Sequence, residues 1–133
     1  MENRRGDKIV EIEEYLDKLG KFVPGSLDEY VSDEKTKAAC ERYFEKVVEA
    51  VVDLAFFIIK EKGLRSPESS RESFEILAEN RLISKELALS LGNAKSMRNW
   101  LAHQYGKVDD GKVFDAIRNE IVGDVEKLME AVR

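Results

Sequence analysis

The chain has 133 residues, 43% of them hydrophobic and 37% charged, with a formal net charge of −5. That length and apolar content fit one domain with a real core. The acidic balance excludes a uniformly basic nucleic-acid binder, so any contact with RNA falls to a local basic patch. A single cysteine, Cys40, and a single histidine exclude an internal disulfide and a conventional zinc centre within one chain. No metal or cofactor is expected.

Ile9, Ile12, Leu16 and Leu19 recur at helical spacing and predict a first helix from about Asp7 to Leu19, ended by Gly20 and Pro24-Gly25. Ser26 to Val31 reads as a short turn or 3₁₀ piece. Ser32 reads as the N-cap of the longest helix, about Asp33 to Lys62, with acidic residues in its first turn and Gly63 closing it. Its stripe of Phe44, Val47, Val48, Val51, Val52, Ala55, Ile58 and Ile59, widened by Phe56 and Phe57, predicts a central helix packed on more than one side. The run from Val47 to Ile59 is broken by Glu49 and Asp53 and is too short to span a bilayer. With no signal-peptide pattern, a cytoplasmic protein away from membranes is expected.

A polar loop, Ser66 to Ser70, precedes a short helix carrying Phe74, Ile76, Leu77 and Leu82. Ser84 caps the next helix, which carries Leu87, Leu89, Leu91, Met97 and Leu101 and ends near His103. Gly106 to Gly111 is a turn, and a last helix spans about Val113 to Val132. There is no strand pattern, repeat or linker. The expectation is an all-α single domain over 1–133, an antiparallel four-helix bundle with an additional short helix.

Chemistry concentrates in Arg98-Asn99-Trp100-Leu101-Ala102-His103-Gln104-Tyr105, which holds the only histidine and the only tryptophan. The pattern R-N-x-x-x-H-x-Y gathers a permanent cation, a group titrating near neutrality and a phenol. These groups handle phosphate without a metal. RNA cleavage of that kind uses the ribose 2′-hydroxyl as nucleophile, with a base, an acid and a cation for the phosphorane. One chain brings one histidine, whereas a two-fold dimer brings two His103 and two Arg98 around its axis. Five residues of helix separate Arg98 from His103 by about 7.5 Å of rise and about 140° of rotation. They converge only if the helix ends near His103 or if the partners come from two chains. The bland readings are a helix-end histidine favoured by the dipole, a surface arginine and a boundary tyrosine.

Glu41, Glu45, Glu49 and Asp53 form an acidic row that reads as a solvated face. Asp53 interrupts a very apolar run, so its carboxylate must be paired or near the surface. It is expected to brace Arg98 or His103 from the neighbouring helix. Cys40 reads as a small helix residue, and Trp100 and Leu101 as core or dimer interface.

Arg98-Asn99 with His103 and Tyr105, in the order R-x(4)-H-x-Y at a helix end, resembles the HEPN-domain proteins of the HepT type, the toxin half of MntA–HepT toxin–antitoxin modules. The segment Glu41 to Asp53, and Pro67 followed by Ser73-Phe74 and Leu77, resemble that family's second helix, loop and third helix. The resemblance spans nearly the whole chain. It implies a metal-independent, toxin-like endoribonuclease acting as a symmetric homodimer, with Arg98 on the scissile phosphate, His103 as base or acid and Asn99 supporting. It also implies a minimal nucleotidyltransferase antitoxin, MntA-like, that transfers AMP onto Tyr105. The competing reading is a non-catalytic HEPN binding module that such a transferase partners and modifies.

Overall fold

The computed structural model describes residues 3–103 and 108–133, and every regular element among them is helical. Helix α1 runs Arg4–Phe22, with Asn3 capping its start by accepting from the Gly6 N–H at 2.9 Å. It continues past Gly20, beyond the predicted end at Leu19. A glycine inside a helix costs about 1 kcal/mol, and burial of Leu19 together with the Val23 N–H bond to the Leu19 carbonyl (2.9 Å) overrides it.

Helix α2, Leu27–Ser32, is a true α-helical turn and a half rather than a 3₁₀ piece, capped by the Ser26 hydroxyl. Ser32 ends it, and Asp33 caps α3 (Glu34–Glu61) by accepting from the Lys35 and Thr36 N–H groups at 3.1 and 3.3 Å. At the far end Gly63 takes the left-handed φ of 65°, which lets the Leu64 N–H reach the Ile59 carbonyl at 2.9 Å.

Helix α4 spans Ser70–Glu79 under a Ser69 cap, and α5 spans Lys85–His103. Ser84 caps α5 as predicted, its hydroxyl accepting from the Leu87 N–H at 3.0 Å. The last rod starts earlier than predicted because Asp109 caps it. It comprises α6 (Asp110–Asp115), a π-helical turn (Ala116–Glu120) and α7 (Ile121–Val132).

Helix α1 packs along α3, α3 also meets α4 and α5, and α5 meets α7, while α2 closes the end between α3 and α6. The all-α bundle expectation holds, with the short α2 and α4 outside the long helices. The core centres on Ile12, Phe44, Leu54, Ile58, Phe74 and Leu128, all fully buried. Cys40 is buried too, and that burial pushes its thiol up to about 11. Two predicted core residues face water instead: Phe56 is 38% and Leu89 60% exposed. Phe56 lies on the α3 face of Glu49, Asp53 and Lys60. Leu89 sits between Leu87 and Leu91, and residues two apart cannot share one side of a helix. Tyr30 is buried completely, tilted against Phe114 at 5.2 Å. No helix among the described residues is long and apolar enough to cross a membrane.

Candidate active site at the end of helix α5

Arg98 lies in the second-last turn of α5, its side chain 20% exposed. Its guanidinium forms an ion pair with Glu49 of α3 and donates from Nη1 to Asn99 Oδ1 at 3.4 Å. Its Nε is buried and has no hydrogen-bond partner among the described residues. Asn99 therefore touches the arginine. The Glu49 side chain is 43% exposed, so the pair contributes at most about 1 kcal/mol. A phosphate would meet the same guanidinium with an interaction of the same kind, so the half-exposed Glu49 is a partner that an incoming anion could exchange with.

Asp53 does not brace the motif. Its carboxylate is 65% exposed and pairs with Lys8 of α1 at 3.6 Å. Four residues of helix turn a side chain by about 40°, and from Glu49 to Asp53 that rotation carries the acid away from α5 and towards α1. Of the predicted acidic row, Glu49 is the member that reaches Arg98.

His103 is the exposed last residue of α5. Because α5 stays helical to that point, the rise and rotation of a five-residue step apply, and Arg98 and His103 leave the helix on different faces. Leu101 between them is 7% exposed and anchors the helix end in the core, while Trp100 is half-buried. Tyr105, the predicted AMP acceptor, lies outside the described residues, as do the first two residues of the predicted Gly106–Gly111 turn, while its last two, Asp110 and Gly111, already belong to α6. Among the described residues no group of three or more His, Cys, Asp or Glu side chains is placed to hold a metal ion.

A further arginine fixes α5 itself. Arg71 of α4 donates from Nη2 to the Gly92 carbonyl (3.0 Å), to Asn93 Oδ1 (3.3 Å) and to Ser96 Oγ (2.7 Å). A Cβ on Gly92 would meet Arg71 Nη1 at 2.8 Å, so glycine at that helix-interior position makes room for the guanidinium. The glycine in an otherwise helical pattern was the available signal. On the opposite side Ser90 donates to Asp124 of α7 at 2.5 Å. The helix bearing the motif is thus tied to α4, α3 and α7.

The model of the family described as Ribonuclease HepT-like matches residues 12–132. The chain belongs to that family. It is 31% identical over 103 residues to the tRNA nuclease HepT of Aphanizomenon flos-aquae, covering 77% of this chain and 70% of that protein. It is 29% identical over 89 residues to the mRNA nuclease HepT of Shewanella oneidensis, covering 67% and 66%. The fold matches that of the tri-AMPylated Shewanella oneidensis HEPN toxin, solved in complex with MNT antitoxin, with a TM-score of 0.90, 25% identity and coverage of 99% and 98%.

Proposed function

We propose that this chain is the ribonuclease toxin of a toxin–antitoxin module, cleaving RNA without a metal as a two-fold dimer and silenced by AMP transfer to Tyr105. The observation that carries this is the half-exposed Glu49–Arg98 pair near the end of the helix that terminates in His103. In the proposed reaction Arg98 leaves Glu49 for the scissile phosphate. One imidazole takes the 2′-hydroxyl proton, that oxygen attacks phosphorus, and a second imidazole protonates the departing 5′-oxygen. The different faces taken by Arg98 and His103 favour assembling these groups from two chains. The names of the relatives, tRNA nuclease and mRNA nuclease, support RNA as substrate, and the AMPylated toxin complex supports the regulation.

The test is cleavage of tRNA and mRNA by the purified chain. His103→Ala should abolish cleavage while the fold holds, since losing a helix-end histidine costs at most about 2 kcal/mol. Cleavage should survive excess EDTA. If the alanine variant cleaves as well as the parent, His103 is not the catalytic group; if the parent cleaves nothing, the enzyme reading fails. The non-catalytic module then takes its place, a reading that the net charge of −5 favours.

A further inference from the structure

The acidic chain needs a local surface to hold RNA, and one lies along the seam between α1 and α3. Tyr15 and Phe22 reach it from α1, Tyr43 and Lys46 from α3. Phe22 stacks on Tyr43 with ring centroids 5.7 Å apart and planes 10° apart. Tyr15 meets Tyr43 at 6.5 Å and 46°. Lys46 Nζ stands 5.4 Å from the Tyr15 centroid and 6.0 Å from that of Tyr43. Lys18, three residues after Tyr15 and four before Phe22, falls on the same stripe of α1. Glu11, four residues before Tyr15 on that stripe, is engaged by Lys8 at 3.2 Å.

Packing accounts for part of this seam, because Tyr15 and Tyr43 are half-buried against the core. It does not account for Phe22, which is 43% exposed and leaves much of its ring in water. Aromatic faces interleaved with cations are the surface that unpaired bases and their phosphates take, independently of sequence. The seam is continuous with the candidate active site. Lys46 is three residues from Glu49, hence its neighbour on the α3 surface, and Glu49 is the residue that holds Arg98.

We propose that Phe22, Tyr43 and Lys46 form a stacking subsite for unpaired RNA bases flanking the phosphate held at Arg98. The proposal rests on the ribonuclease reading for its substrate. Stacking places a base on the outer face of Phe22, and Lys46 meets the adjoining backbone phosphate. It gives an acidic nuclease its hold on RNA without a basic field.

The experiment uses the His103→Ala chain, which binds without cutting, and a single-stranded RNA of about ten nucleotides carrying 2-aminopurine. Binding should quench the fluorophore. Phe22→Ala should weaken affinity about tenfold and remove the quench, and Lys46→Gln, which leaves the rings intact, should weaken it severalfold. The loss should shrink as the oligonucleotide is shortened to a dinucleotide. No quench, or unchanged affinity in Lys46→Gln and in a Phe22→Ala chain that keeps its circular dichroism, overturns the subsite. Phe22→Ala or Lys46→Gln chains that bind RNA normally but lose a nucleotidyltransferase partner overturn it too, and mark the seam as a protein-docking face. Failure of the parent chain to cleave any RNA counts against the ribonuclease reading alone, because the quench reads base stacking without cleavage.

Discussion

Arg98 faces two anions, the Glu49 carboxylate in the free chain and a phosphate in the proposed complex, and the contest decides how tightly RNA binds. Glu49→Gln removes the competing charge and keeps an oxygen that can accept from the guanidinium. RNA affinity should rise about two- to fivefold, the equivalent of a half-exposed ion pair, as measured by titration at fixed salt. An unchanged affinity would mean that phosphate never meets Arg98. Tyr105 carries the regulatory prediction. Incubation with ATP and the cognate nucleotidyltransferase should add AMP units seen by intact mass, and Tyr105→Phe should abolish the gain. Adducts that persist in the phenylalanine variant would place the modification elsewhere. Tyr30 is the least suited of the other tyrosines, because its hydroxyl is fully buried and burial raises its pKa far above the ordinary phenol value.

At the scale of elements, α5 is a lever whose rotation about its own axis sets where Arg98 and His103 point. Arg71 holds that rotation from α4 through bonds to Gly92, Asn93 and Ser96. Arg71→Gln and Gly92→Ala disturb the same contact from its two sides. Each should lower kcat for RNA cleavage with a smaller effect on KM, and the double variant should lose little more than either single one. Fully additive losses in that double-mutant cycle would show that the two residues act independently. Much of this architecture is legible in the sequence, because apolar periodicity locates α3 and a serine before a periodic run locates the start of α5. Other features leave no periodic trace. The Arg71 bonds join residues 21 to 25 positions apart. The choice between Glu49 and Asp53 turns on a rotation of about 40° along one helix, which an i, i+4 row of acids does not reveal. The cap of α3 falls on Asp33 rather than Ser32 because adjacent residues both have capping side chains, and α2 uses Ser32 as its last residue.

At the scale of the molecule, one histidine per chain makes the proposed reaction collective. If a single catalytic centre draws on both His103 side chains, mixing parent chains with inactive His103→Ala chains should lower the activity as the square of the parent fraction. Chains that each act alone would give a linear fall, and the composite centre would then be wrong. The measurement is initial cleavage rate at constant total protein after subunit exchange.

The Glu49–Arg98 pair also bears on how RNA arrives. A nuclease with an uncompensated cationic groove draws in any polyanion from a distance, and added salt slows that capture steeply. Here the net charge is −5 and the motif arginine is already matched by a carboxylate, so the free protein offers RNA no long-range pull through that site. Added salt weakens the mutual repulsion of two anions while it also weakens the final contact of guanidinium with phosphate, and the two effects oppose each other in the encounter rate. If the stacking subsite supplies the hold instead, capture should depend on short-range contact with unpaired bases, such as the single-stranded ends and loops of an otherwise folded RNA.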